Sequence, residues 1–141
     1  MKKRLVFVIT ILFFVLIFTL SAAAQVDPWE KAREEGIVFR AVGNEPDWMI
    51  ELSQDKSIKF VNHDGELEIK VPVDDIWLGP EGEDRIYYVE NEVIPFQLII
   101  MKKQYRDNVS GEVFPYQVRL IFPEKSYTGG GKMLVEEENG E

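Results

Sequence analysis

The sequence predicts an all-β protein, a small antiparallel β-barrel of about eight strands preceded by a short N-terminal helix. Three observations lead to this fold class. Apolar and polar residues alternate with a period of two over most of residues 37–135, turn-forming residues recur at short intervals, and no helical periodicity separates the alternating segments. Short strands linked in this way are typical of antiparallel barrels and sandwiches.

The first 24 residues have the order of a secretory signal peptide. Residues 2–4 are all basic, residues 5–20 are apolar apart from two threonines, and Ala22 and Ala24 stand where the cleaving enzyme requires small residues. The apolar run is shorter than the roughly 20 residues that a membrane-spanning helix needs. We therefore expect cleavage after Ala24 and export to the periplasm or the medium. A retained N-terminal anchor is the alternative.

The charge of the chain limits the classes of partner that it can bind. The formal net charge is −9, and cleavage would remove three basic residues and no acidic residue, which makes the mature charge −12. Nucleic acid is a poor partner for such a chain, because lysine and arginine must neutralise the phosphates. A basic partner would be attracted. The chain has no cysteine, so its apolar core must stabilise it without disulfides.

A short surface helix is predicted at residues 25–36, directly after the cleavage site. Asp27 is a suitable N-cap, Pro28 suits the first helical position, and Gly36 is a natural stop. The segment has few apolar residues, so we expect Trp29 to hold it against the domain.

The β-domain is predicted to cover residues 37–135, and the acidic residues 136–141 are expected to fray. Residues 128–131 contain three consecutive glycines and predict a flexible corner before the last strand. The predicted strands are residues 37–43, 47–53, 58–60, 66–71, 86–89, 96–101, 116–122 and 132–135.

Few residues suggest catalysis or metal binding. His63 is the only histidine and lies in a predicted hairpin turn, where no partner that would orient it can be named. The lack of cysteine and of a Glu-x-x-His spacing argues against zinc, and the acids at 74–75 and 81–84 fit no known calcium-binding loop. We therefore expect no catalytic residue, no metal and no cofactor.

The turn between the first two predicted strands, GNEPDW, allows two interpretations. As a well-made corner, it uses Gly43 for a positive φ and Pro46 to extend the chain before it. Asn44 would bond its own backbone, and Trp48 would belong to the core. As a binding site, Asn44, Glu45 and Trp48 would present an amide, an acid and an indole to a sugar, a peptide or a basic side chain.

Three motifs resemble those of a known family. They are FRAVGNEPDW at residues 39–48, DNVSGEVFPY at 107–116 and YTGGG at 127–131. The chain is similar here to a family of bacterial exported proteins and lipoproteins of unknown function, some of which carry META-type domains or domains like the inhibitors of C-type lysozyme. The resemblance implies a small β-barrel without a settled activity. It adds Ser110 and Tyr116 to the candidate binding residues.

The resemblance also has consequences for structural residues. It implies structural roles for Gly111, Gly129 and Gly131, which stand in the matching motifs. The family usually has cysteines at the positions of Tyr105 and Gly130, and the disulfide that this pattern implies is absent here. Any family function that needs such a bridge is therefore in doubt for this chain.

We expect a non-catalytic binding or structural role in the bacterial cell envelope. The first alternative is an inhibitor of a basic C-type lysozyme, because Ser110-Gly111 is similar to the Ser-Gly turn of those inhibitors and an acidic barrel would attract a basic enzyme. The second alternative is a glycan-acting enzyme that uses Glu45 with a second carboxylate. The expected partner is a basic protein or an envelope glycan, with no nucleic acid and no membrane span after cleavage.

Overall fold

The computed structural model describes residues 2–3, 25–44, 47–62, 67–73, 76–78, 84–90, 92 and 94–135, and for 76–78 only the backbone. The predicted signal peptide lies outside these ranges except for residues 2–3. Glu45, Pro46, His63 and the tail at 136–141 also lie outside them.

From residue 25 onward, the described chain consists of one short helix followed by antiparallel strands, as the sequence predicts. Helix α1 covers Pro28–Glu34. The strands are β1 Ile37–Asn44, β2 Asp47–Ser53, β3 Ser57–Asn62, β4 Glu68–Pro72, β5 Ile76–Leu78, β6 Arg85–Val89, β7 Phe96–Met101, β8 Tyr105–Arg106, β9 Val113–Phe114, β10 Tyr116–Ile121 and β11 Ser126–Met133.

Helix α1 is shorter than the predicted range of residues 25–36, but its start has the predicted N-cap, Asp27. The Asp27 side chain accepts a hydrogen bond of 3.1 Å from the backbone N–H of Trp29, and Pro28 occupies the first turn. Gly36 follows the helix with a φ of 83°, a left-handed conformation that favours glycine. Ala32 is the buried residue of the helix, so α1 lies on the outside of the domain.

Nine strands form a single antiparallel sheet that curls into a nearly closed barrel. Their order is β4-β3-β2-β1-β11-β10-β7-β6-β5. The two edge strands, β4 and β5, are consecutive in the chain and are separated by residues 73–75. Such a link spans at most about 14 Å, so the two edges of the sheet must lie close together. The prediction of a small all-β barrel is confirmed.

The barrel interior is filled by the alternate residues of each strand. In β1, the inward side chains of Ile37, Phe39 and Ala41 are buried, while those between them are half-buried. A cluster of aromatic rings occupies one end of the interior, and its rings lie 5.0–6.3 Å apart. Its members are Trp48, Phe60, Phe96, Phe122 and Tyr127.

The prediction of a flexible glycine corner at residues 128–131 is wrong, as is the start of the last strand at residue 132. These glycines lie inside β11, which pairs with β1 and with β10. A methyl group built on Gly129 would lie 2.6 Å from the Trp48 ring, and one on Gly131 would lie 2.5 Å from the Phe39 ring. The glycines are therefore explained by close packing rather than by backbone freedom.

Strands β8 and β9 form a separate two-stranded hairpin on the outer side of the barrel. Tyr105 pairs with Phe114, and Arg106 pairs with Val113. The Phe114 ring covers Gly130 so closely that a methyl group there would lie 2.7 Å from the Phe114 Cβ atom. This hairpin was not among the predicted strands. Within the described ranges, no helix is both long enough and apolar enough to cross a membrane.

Candidate functional site

The Asp107 carboxylate joins the two segments that the sequence marks as candidate binding regions. Its Oδ2 atom accepts hydrogen bonds from the Ser110 N–H at 2.7 Å and from the Ser110 hydroxyl at 2.6 Å. The same oxygen accepts a bond of 2.7 Å from the Asn44 amide, 63 positions away in the chain. The end of β1 and the tip of the β8–β9 hairpin therefore meet at one buried carboxylate.

Backbone bonds fix the shape of the hairpin tip, residues 107–112. The Asp107 N–H donates to the Glu112 carbonyl, and the Gly111 N–H donates to the Asp107 carbonyl, both at 2.9 Å. Gly111 has a φ of 73°, which supports the structural role that the resemblance implies. The Ser110 Oγ also accepts a bond from the Glu112 N–H at 3.2 Å. The tip is therefore ordered before any partner arrives.

These bonds keep Asp107 ionised. The hydroxyl and the N–H of Ser110 lower the pKa of Asp107 most, the Asn44 amide lowers it further, and partial desolvation opposes them. Burial raises the pKa of the neighbouring Tyr105, and the Asp107 charge adds to that rise. Near neutral pH the site thus contains a fixed negative charge bonded by neutral groups.

Replacing Asp107 with asparagine should make the free energy of unfolding depend less on pH in the acidic range. A carboxyl group whose pKa is lowered by folding contributes stability above its unfolded pKa of about 4, and that contribution is lost as the pH falls through the folded value. We expect Asp107→Asn to be less stable than wild type at pH 7 and to lose less stability between pH 5 and pH 2. Urea unfolding at several pH values measures both. If the free energy of unfolding changed with pH equally in both proteins, the lowered pKa of Asp107 would be contradicted. Some pH dependence remains in either protein, because Ser57 also lowers the pKa of Asp55.

Beside Asp107, a groove of about 300 Å³ opens between α1, the β1–β2 corner and the hairpin tip. We call it the corner groove. Helix α1 contributes Pro28 and Trp29, the strands contribute Arg40, Val42, Gly43, Asn44, Asp47 and Trp48, and the hairpin contributes Ser110, Glu112 and Phe114. Its walls thus combine aromatic surface with amide, hydroxyl and carboxylate groups, a mixture that suits a polar ligand with an apolar part.

Two cations lie in or beside the groove, and each faces a carboxylate: Arg40 lines the groove, and Lys132 lies over the ring of Trp29, which lines it. The Lys132 ammonium is 2.8 Å from Glu112, and the Arg40 guanidinium is 3.6 Å from Glu51. Both cations also lie over the Trp29 ring, at 4.7 Å for Lys132 and 5.4 Å for Arg40. Asp47 also lines the groove and is exposed, and the Asp107 carboxylate lies beside it, bonded to the lining residues Asn44 and Ser110. The described part of the groove therefore has an excess of negative charge.

The five predicted binding residues do not all lie at one site. Asn44 and Ser110 meet at Asp107, and both line the corner groove. Trp48 is only 1% exposed and packs in the core against Tyr127. Tyr116 is half-buried inside the barrel, where its ring meets Phe39 edge-on at 5.8 Å. Glu45 lies outside the described residues.

Gly43 has a structural role different from the one that its turn predicts. It lies in β1 with an extended backbone rather than a positive φ, and it pairs with Trp48. A methyl group on Gly43 would collide with the indole nitrogen of Trp48 and would lie 2.6 Å from its Cε2 atom. Gly43 and Gly129 thus make room for the same tryptophan, while Pro46 lies outside the described residues.

Trp29 and Glu112, which line the groove, and Lys132, which lies over the Trp29 ring, are among the residues that the sequence did not predict as binding residues. Trp29 was expected only to hold the helix, and neither Glu112 nor Lys132 was given a role. Lys132 follows the glycines of β11 at an outward position, and Glu112 lies two residues after Ser110. Their alternation along a strand and a hairpin indicates exposure, but it does not show that the two side chains meet.

The positions at which the resembled family has cysteines can be located. Tyr105 lies on β8 and Gly130 on β11, and these two strands contact each other. In this chain, the Phe114 ring covers Gly130 and the Lys132–Glu112 ion pair links β11 to the hairpin tip. These contacts hold the hairpin where the resemblance implies a covalent bridge.

The described residues contain no group of three or more histidine or acidic side chains arranged to hold a metal ion. A scan against family models finds no match to the chain, and searches of curated proteins and of solved structures find none either. The assignment of a function therefore depends on the geometry of the corner groove.

Proposed function

We propose that this protein is a non-catalytic binding domain of the bacterial cell envelope, and that its corner groove binds a basic partner protein. The observation that carries this proposal is the shared carboxylate of Asp107. It brings Asn44 and Ser110, which belong to separate sequence motifs, to the same groove. Because hydrogen bonds join the end of β1 to the hairpin tip, the two segments form a preorganised surface, and preorganisation lowers the entropic cost of binding.

The charges of the groove support a basic partner. Asp107 is bonded by neutral groups and Asp47 is exposed, whereas the nearby cations each face another carboxylate. The net charge of −9 over the whole chain would add long-range attraction for a cation-rich surface. The basic and apolar start of the sequence, with its small-residue exit, supports export to the envelope.

A retention experiment tests the proposal. Residues 25–141 are immobilised, an envelope extract of the source organism is passed over them at low salt, and the retained proteins are identified. We expect a basic protein to be retained by wild type, to be lost at high salt, and to be lost from Asp47→Asn. Glu124→Gln is the matched control, because it removes the same charge from an exposed turn between β10 and β11. Equal retention by wild type and by both variants would contradict a site at the corner groove.

Inhibition of a basic C-type lysozyme is the second candidate, and the exposed hairpin tip favours it. Val109 is 57% exposed at the tip, next to Ser110 and Gly111, which are exposed as well. An apolar side chain on an ordered, protruding turn can enter a cleft at little entropic cost. We expect the mature protein to lower lysozyme activity at low salt and Val109→Asp to weaken the effect. Full lysozyme activity at micromolar protein and low salt would exclude this candidate.

A further inference from the structure

Helix α1 is attached to the outside of the barrel by few side chains. Ala32 is its one buried residue among those described, at 2% exposure, and Trp29 is half-buried. The ion pairs Glu30–Arg33 and Lys31–Glu35 lie within the helix segment and are exposed, so they do not attach it to the barrel. A helix of seven residues is also too short to be stable in water without tertiary contacts.

The attachment is concentrated at the N-terminal end of the helix. The Arg40 guanidinium donates a hydrogen bond of 2.7 Å to the Pro28 carbonyl. The Trp29 ring lies 5.8 Å from the Phe114 ring and beneath the cations of Arg40 and Lys132. Loss of this one group of contacts would release most of the helix.

The C-terminal end has the features of a hinge. Gly36 has a φ of 83° between the helix and β1, and its N–H donates to the Arg33 carbonyl at 3.1 Å. Its own carbonyl accepts a bond of 3.0 Å from the Gln54 N–H, which ties it to the barrel. The backbone can therefore rotate at the end of the helix while Gly36 stays in place.

The two ends of the helix segment line different grooves. Pro28 and Trp29 form a wall of the corner groove, and Glu35 and Gly36 form a wall of a second groove of about 400 Å³. The Arg40–Glu51 ion pair lies at the boundary, since Arg40 lines the first groove and Glu51 lines the second.

We propose that α1 is a strap that swings away from the barrel at Gly36 while the barrel stays folded, and that its opening joins the two grooves into one. The contacts of Trp29 and Pro28 with Arg40 hold the closed state. The joined groove would admit a longer segment of a partner than the corner groove alone. Only that last consequence rests on the proposed function, because the opening itself needs no ligand.

The absence of cysteine makes the opening measurable, because a single introduced thiol is unique in the chain. Ala32→Cys places the thiol under the helix, and Val118→Cys places one in the barrel core at a fully buried position. Residues 25–141 carrying either change are labelled with a thiol reagent under native conditions. We expect the Ala32→Cys thiol to react at least about 100-fold faster than the Val118→Cys thiol, because local opening requires less free energy than global unfolding.

A second substitution tests the contacts that hold the strap. Adding Trp29→Ala should speed labelling of the Ala32→Cys thiol at least about 10-fold. The Val118→Cys thiol should speed up by no more than the same factor and remain at least about 100-fold slower, because both openings start from the same destabilised closed state. Amide exchange of Lys31 and Glu35 in the unsubstituted protein provides a check without any cysteine. Equal labelling rates at the two thiols, or exchange of these amides only together with the core of β10, would overturn the strap. Because no partner is present, this result is independent of the retention experiment.

Discussion

Replacing Trp48 with alanine is expected to lower the free energy of unfolding by about 3–5 kcal/mol, the usual cost of deleting a buried aromatic side chain. Trp48 is 1% exposed and packs 6.2 Å from Tyr127 in the aromatic cluster of the barrel. Gly43 and Gly129, which face the indole ring, have no side chains of their own to fill the space. The vacated volume should therefore remain a cavity.

Urea unfolding followed by circular dichroism measures this loss. Trp29→Ala is the matched control, since it deletes the same side chain from the half-buried position outside the barrel. We expect its effect to be clearly smaller than that of Trp48→Ala. A small loss for Trp48→Ala, or equal losses for both variants, would contradict the role of Trp48 as a core residue.

Gly129→Ala is expected to lower the free energy of unfolding by about 3 kcal/mol, at the upper end of the usual cost of overpacking. The added methyl group would collide with the backbone carbonyl of Val42 and would lie 2.6 Å from the Trp48 ring. A backbone carbonyl in a sheet cannot move aside without breaking its ladder, so the strain has no easy relief.

Gly111→Ala is the comparison that shows the cost of replacing a glycine where the new methyl group meets no neighbouring atom. Gly111 has a positive φ but nothing within 4 Å of a new methyl group. Its replacement should cost only about 1–2 kcal/mol, the cost of a left-handed backbone for a residue with a side chain. Thermal melts of the two variants compare them directly. A Gly129→Ala protein as stable as Gly111→Ala would mean that β11 does not approach Trp48 as closely as described.

The contrast between these glycines shows what the sequence could predict of the fold. Alternation along β1 and β2 correctly predicted the strands and the inward face, because burial has the period of the strand itself. The run Gly129–Gly131 was wrongly taken as a corner. Glycines are needed there because the rings of Trp48, Phe114 and Phe39, on neighbouring elements, pack directly against the backbone of β11. The local sequence does not indicate which rings will cover a glycine.

The candidate site was predictable only in part, for a similar reason. Asn44 and Ser110 stood out because their motifs contain turn residues with chemically useful side chains. We expected the Asn44 side chain to bond the backbone of its own turn, but its amide donates a hydrogen bond to Asp107 on the hairpin. Trp29 was predicted to hold the helix, but its neighbours Arg40 and Lys132 become visible only once β1 and β11 pair.

The proposed site depends on one group, an ionised Asp107 carboxylate that the end of β1 and the hairpin tip share. Carbon-13 NMR titration of the Asp107 carboxyl in residues 25–141 tests it most directly. We expect a pKa below the ordinary value of about 3.9, and we expect this pKa to rise in Asn44→Ala and to rise further when Ser110→Ala is added. A wild-type pKa at or above the ordinary value, unchanged by either substitution, would mean that the two segments do not share this carboxylate and that the corner groove is not one site.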